Sequence, residues 1–190
     1  MIFTKFDFDK KDNRVPILIE PKLFRDDRGY FFESFNLEEF KNAVGYDINF
    51  VQDNESMSKQ GTVRGLHFQT GDFEQSKLVR VVKGAVYDVA VDIRHGSKTY
   101  GKYVGVYLSE NNHQQFFIPR GYAHGFIALE DDTIFQYKCD NYYNKLSEGS
   151  ILWCDPSINI NWGNYYDLNK IIVSEKDAIA KKLFEYEQIR

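Results

Sequence analysis

The chain has 190 residues, 43% of them hydrophobic, enough for one domain with a sizeable core. Sixteen Phe, 13 Tyr and 2 Trp favour a sheet-rich fold over a helical bundle. A net charge of −4, with no basic tail or block, argues against nucleic acid as a partner.

The N-terminus, MIFTKFDFDKKDN, is charged throughout and reads as neither a signal peptide nor a membrane anchor. Residues 15–24, VPILIEPKLF, read as an edge strand broken by Pro16 and Pro21. DDRG at 26–29 is a turn and YFFESF at 30–35 a strand. Asn36 then caps a short helix, LEEFKNAV, which Gly45 ends. TVRGLHFQ at 62–69 has strand residues interrupted by Gly65. KLVRVV and AVYDVAVDI, separated by Lys83 and Gly84, read as a hairpin. In the second of these, Ala85, Tyr87, Val89, Val91 and Ile93 share one face, and Asp88 and Asp92 occupy the other. Strands follow at YVGVYLS, QQFFIP, GFIALE and TIFQYKC. After SILWCDP and INW, the stretch SEKDAIAKKLFEYEQ reads as a C-terminal helix opened by Ser174.

Short strands recurring at about 8–12 residues mean a sandwich or barrel. The expected fold is all-β, a jelly-roll barrel over residues 1–190 as a single domain, with small peripheral helices and a C-terminal helix. The mouth of such a barrel is where a ligand would bind. Cys139 and Cys154 make no CxxC pair and are expected to be reduced in a cytoplasmic protein.

Four histidines are present. His95 and His113 fall in polar turns, whereas His67 and His124 interrupt apolar stretches, GLHFQ and GYAHGF. A histidine so placed is more often a hydrogen-bonded core residue than a catalyst. Arg64 changes that weighing. Residues three apart on a regular strand point to opposite faces, but a bulge at Gly65 would bring Arg64 and His67 to one side. An inward arginine calls for an anion, and phosphate suits its planar fork; the alternative is an outward Arg64 with His67 in the core. Lys77 and Tyr137 add polar heads to strands, although a strand lysine usually points outward. Asp177 follows Ser174 by three residues, a helix-capping pattern that by itself explains the acid.

Taken together, FRDDRGYFFESF, FVQDN, VRGLHFQ, KLVRVVKGAVYDVAVDIR, IPRGYAHGF, YKCDNYY, EGSILWCDP and SEKD resemble the motifs of dTDP-4-dehydrorhamnose 3,5-epimerases, almost end to end. The resemblance implies a cupin-type jelly roll acting as a homodimer, without cofactor or metal, on a nucleoside-diphosphate sugar in dTDP-rhamnose biosynthesis. It implies His67 as catalytic base, Asp177 as the carboxylate that orients it, Tyr137 as the acid on the opposite sugar face, and Lys77 near the keto oxygen. It further implies that Arg28, Glu33, Gln52, Asp53, Asn54, Arg64, His124, Glu148 and Lys176 contact substrate, with Tyr143 stacking on thymine. Three positions depart from the family pattern: Arg120 for a usual Glu, Cys154 for Asn and Gly163 for Pro.

The implied reaction converts dTDP-4-dehydro-6-deoxy-D-glucose to dTDP-4-dehydro-L-rhamnose. The C4 ketone acidifies the hydrogens on carbons 3 and 5, so a base, an enolate and reprotonation from the other face invert both centres. No hydride moves, and the chain has no GxGxxG. Three alternatives stay open. A metal-dependent cupin would need His-x-His, whereas this strand reads His67-Phe68-Gln69. A non-enzymatic sugar-binding module would not need the base, acid and tyrosine together. Epimerisation at carbon 3 alone uses the same residue types.

Overall fold

The alternating apolar residues and the Gly/Pro punctuation resolve into two antiparallel sheets laid face to face. The computed structural model describes residues 1–7 and 12–187. In chain order the strands are β1 (Ile2–Lys5), β2 (Ile17–Glu20), β3 (Phe24–Asp26), β4 (Gly29–Phe31), β5 (Gln52–Ser58), β6 (Val63–Gln69), β7 (Lys77–Lys83), β8 (Ala85–Asp92), β9 (Tyr103–Ser109), β10 (Gln115–Ile118), β11 (Tyr122–Ala128), β12 (Thr133–Cys139) and β13 (Glu148–Ser150). The helices are α1 (Leu37–Val44), α2 (Glu175–Ala178) and α3 (Leu183–Glu187). One sheet has the order β1-β2-β10-β7-β12-β5 and the other β13-β6-β11-β8-β9, while β3 and β4 form a separate hairpin. The jelly-roll expectation holds, with each sheet keeping its own two edges rather than closing hydrogen bond by hydrogen bond into a barrel.

Period two sorts the side chains. Val79, Val81, Phe116 and Phe135 of the six-stranded sheet meet Val86, Ala90, Val106 and Phe126 of the other in the central core. The outer face of the six-stranded sheet buries Ile17, Ile19, Leu78 and Phe117 under Phe40 and Val44 of α1. Each such side chain is worth about 1.5–3 kcal/mol when fully buried. The back of the five-stranded sheet is covered by Ile151, Ile158, Trp162 and Leu183 from the C-terminal stretch. Because both its faces are covered, every residue of β8 is buried, Asp88 and Asp92 included. α1 forms as its caps dictate. Asn36 Oδ1 accepts from the Glu38 and Glu39 N–H groups at 3.1 Å, and Gly45 adopts φ 81°.

Four local expectations are corrected. Pro16 and Pro21 flank β2 rather than break it, and β1 lies outside it, so β2 is not an edge. The strand expected over 30–35 ends at Phe31. Lys83 and Gly84 do not turn a hairpin: β7 and β8 belong to different sheets, and Gly84, at φ 80°, carries the chain across between them. The C-terminal helix is two short helices. Between them Lys181 bridges to Ile151, and the Leu183 N–H donates to Asp155 Oδ2 at 2.6 Å. Those tertiary bonds override the helical period; Gln188, the end of the expected helix, lies outside the described residues. Among the described residues no helix is long and apolar enough to cross a membrane.

Candidate active site

The bulge expected at Gly65 is present. His67 pairs with His124 and Arg64 with Phe126, so three steps along β6 match two along β11. The extra residue flips the parity, and Arg64 and His67 both face the space between the sheets. Only glycine fits here. Its φ is +134°, and an added Cβ would lie 2.5 Å from Gly125 Cα on β11.

The stretch after residue 170 then brings in the partner acid. The Val63 N–H donates to Ile172 O at 2.8 Å and the Ile172 N–H to Gly61 O at 2.9 Å, laying this segment along the start of β6. It ends at α2, where Ser174 Oγ accepts from the Asp177 N–H at 3.1 Å. The capping pattern is therefore real, yet the Asp177 carboxylate is not spent on it. Asp177 Oδ1 lies 2.7 Å from His67 Nε2, and Oδ2 accepts from the Gly65 N–H at 3.5 Å. Burial pushes the Asp177 pKa up, but the bond and charge of His67, with Gly65 and Ser174, outweigh it and hold the group below the usual carboxylate value. An anion on Nε2 fixes the proton there and leaves Nδ1 to accept one.

The opposite wall comes from the six-stranded sheet. Inward positions of β7 and β12 carry Lys77 and Tyr137, with the Lys77 ammonium 5.8 Å from the centre of the Tyr137 ring. Burial raises the Tyr137 pKa, keeping the phenol protonated, and Arg64 offsets this only in part. Burial lowers the Lys77 pKa, against the opposing pull of Cys139, Asp88 and Glu148. Arg64 bonds Ser58 Oγ and Met57 O, both uncharged, so its cation is left for an incoming anion.

His124 faces the same cavity and lies 2.9 Å from Asp88 Oδ2. Both are buried, and burial raises Asp88 and lowers His124, each partly restored by the other. Asp88 was not among the candidates from sequence. An acid in the middle of an apolar strand was the available signal, and only the fold supplies its histidine.

Arg64, His67, Lys77, His124, Tyr137, Lys176 and Asp177 line one cavity of about 490 Å³. A second, of about 320 Å³, shares His67, Lys77 and Tyr137 and adds Gln52, Asn54, Tyr143 and Glu148. The shared residues make them two lobes of one cleft. At its rim Glu148 joins Lys176 at 2.6 Å and accepts from the Tyr143 hydroxyl at 3.2 Å.

Three candidates are not brought to this cleft within the chain. β5 alternates, so Gln52 and Asn54 face in while Asp53 points to the outer face and pairs with Lys138 at 2.9 Å. Arg28 sits exposed at the tip of the β3–β4 hairpin, paired with Asp26 at 2.6 Å. Glu33 is exposed just beyond that hairpin and lines neither lobe. Of the departures, Cys154 is exposed and Gly163 has room for a side chain, its nearest neighbour being Leu168 at 3.7 Å. Among the described residues no group of three or more His, Cys, Asp or Glu side chains is placed to hold a metal ion.

Comparison with known proteins identifies the family. The dTDP-4-dehydrorhamnose 3,5-epimerase of Escherichia coli K12 is 49% identical over 173 residues, 91% of this chain and 90% of that one. Its namesake from Methanothermobacter thermautotrophicus is 48% identical over 182 residues, 96% of this chain and 97% of the other. The crystal structure of the Legionella pneumophila dTDP-6-deoxy-D-glucose-3,5-epimerase in complex with dTDP-4-keto-L-rhamnose superposes with a TM-score of 0.88 at 44% identity, covering 96% of this chain and 93% of that one. The sequence model of the dTDP-4-dehydrorhamnose 3,5-epimerase family matches residues 15–185, and the chain belongs to that family.

Proposed function

We propose that the protein inverts carbons 3 and 5 of dTDP-4-dehydro-6-deoxy-D-glucose, giving dTDP-4-dehydro-L-rhamnose. The observation that carries this is the His67–Asp177 pair at 2.7 Å, facing Tyr137 across a cleft whose walls belong to different sheets. His67 Nδ1 takes the proton from the carbon next to the ketone. Asp177 holds the ring in the tautomer that leaves Nδ1 bare and stabilises the imidazolium that forms. Lys77 supports the charge that develops on the C4 oxygen. Tyr137, kept protonated by burial, delivers a proton from the other face, and the hydroxyl hydrogen is its own to give. Arg64 meets the diphosphate as a fixed cation. The second lobe, rimmed by Tyr143, takes the nucleoside.

Arg28 and Glu33 reach a site only through assembly. The protein acts as a homodimer, in the cytoplasm, with the β3–β4 hairpin of each chain directed to its partner. Phe24, Tyr30 and Phe31 are each more than half exposed on this hairpin, a costly surface for a monomer. The apolar residues Ile17 and Ile19, by contrast, are buried inside their own chain. Light scattering should give twice 22.3 kDa; a monomer at working concentration would refute the assembly.

The catalytic reading is tested by incubating the protein with this substrate in deuterated water and following product by NMR. Deuterium at both carbons with inversion at both is expected. Deuterium and inversion at carbon 3 alone would favour the reaction named for ChmJ, the 3'-monoepimerase of Streptomyces bikiniensis, which is 30% identical with a TM-score of 0.84, covering 92% of this chain and 86% of that one.

A further inference from the structure

Arg120 departs from the family pattern and lies outside the reacting constellation, yet it is built into a closed ring of bonds with Ser76 and Asp140, whose chain neighbours Lys77 and Cys139 line the second lobe of the cleft. Its Nε donates to Asp140 Oδ2 at 2.9 Å. Asp140 Oδ1 accepts from the Ser76 N–H at 2.6 Å, and the Arg120 N–H donates to Ser76 Oγ at 3.2 Å. Ser76 is 1% exposed and the Asp140 side chain 7%, so the carboxylate is desolvated and depends on these partners.

Each member of the ring adjoins something the reaction uses. Ser76 precedes Lys77. Asp140 follows Cys139, which pairs across the sheet with Lys77. Beyond Asp140 the chain enters the turn that carries Tyr143. Arg120 belongs to the link between β10 and β11, which crosses from one sheet to the other. The Asp140 N–H also donates to Ser76 O, but at 3.3 Å; beyond it Gln75 donates to Asn141 O at 2.7 Å and the Asn144 N–H to Gln69 Oε1 at 2.6 Å, so the Arg120–Asp140 bond is the clamp at the β12 end of the turn.

We propose that Arg120 is a positioning residue of the epimerase: through Asp140 it pins the end of β12 to the start of β7 and so fixes the turn that presents Tyr143 to the nucleoside. This rests on the functional reading above. Without the guanidinium, Asp140 is a buried carboxylate short of one charged partner. It regains water by swinging outward, and the turn, still tied by Gln75 and Gln69, shifts at its Asp140 end. Lys77 keeps its ladder partners in β12 and β10, so the chemical step is left nearly intact. The loss therefore falls on binding.

The test compares wild type, Arg120→Gln, Arg120→Lys and Asp140→Asn in one steady-state assay with the dTDP-sugar, alongside calorimetric binding of dTDP alone. For Arg120→Gln, KM and the dTDP Kd should each rise about tenfold while kcat stays within about twofold. Arg120→Lys, which keeps a cation near Asp140, should recover part of the affinity. Asp140→Asn should raise KM in the same direction, and adding it to Arg120→Gln should cost little more, since the two act through one bond. Unchanged KM in Arg120→Gln overturns the proposal. So does a parallel loss of kcat and melting temperature in all three variants, which would make the ring a fold element only. An inactive wild type overturns the functional reading and this proposal with it, whereas an active wild type with an indifferent Arg120→Gln overturns the positioning role alone.

Discussion

His67 and His124 stand opposite each other on β6 and β11, and each sets Nε2 against an aspartate. Their surroundings separate them. The His67 side chain is 33% exposed to the cleft, and its Asp177 is held below the ordinary carboxylate pKa despite burial. Asp88 is sealed between the sheets and the His124 side chain is only 8% exposed, and there burial raises the acid and lowers the base. The first pair thus keeps a fixed negative charge beside an imidazole that substrate can touch. The second favours a neutral pair, able to hold a hydrogen bond but with little drive to take a proton. The same two residue types make a base in one place and a rigid wall in the other, and accessibility decides which.

The difference predicts a ranking. His67→Asn removes the proton acceptor and should lower kcat by roughly 10³–10⁴-fold with the fold intact by circular dichroism. Tyr137→Phe keeps the ring and its packing but loses the acid. It should lower kcat by about 10²-fold and leave KM within a few-fold, checked in the same assay. Asp88→Asn should cost the least. The amide can still hydrogen-bond His124, and it cannot take on the charge that burial disfavours.

Thermal melts of that last variant sharpen the contrast. An acid whose folded pKa is raised penalises the native state as pH climbs through the interval above the ordinary 3.8. Asp88→Asn should therefore melt at or above wild type at pH 8, the advantage shrinking as pH falls toward 3.8. Asp177 has the opposite sign: its folded pKa is depressed, so it stabilises above 3.8 and that contribution is lost as pH falls through its folded value. A strongly destabilised, inactive Asp88→Asn would erase the distinction between the pairs.

How much of this the sequence disclosed depends on the distance over which each feature is decided. The α1 caps, Asn36 and Gly45, and the Gly65 bulge are local, and each was legible from a few residues. Gly84 was misread because a positive φ serves equally for a hairpin and for a crossing between sheets. β1 forms only where β2 offers a ladder, so four residues near the start carried no signal of their own. Asp177 shows the limit most clearly. Its spacing from Ser174 predicted a cap, which is present. Nothing local linked it to His67, 110 residues earlier; only the family resemblance did. Asp88, 36 residues from His124, had no comparable guide.

The central claim, that Asp177 makes His67 a base rather than simply closing a helix, is tested most directly by Asp177→Asn. Asparagine leaves the Asp177 N–H bond to Ser174 in place and nearly preserves size. It withdraws the charge and permits the wrong His67 tautomer. With substrate in deuterated water, exchange of the hydrogens on carbons 3 and 5 should fall by roughly 10³-fold or more with the fold intact by circular dichroism. Exchange at the wild-type rate would leave Asp177 as a cap and contradict the account.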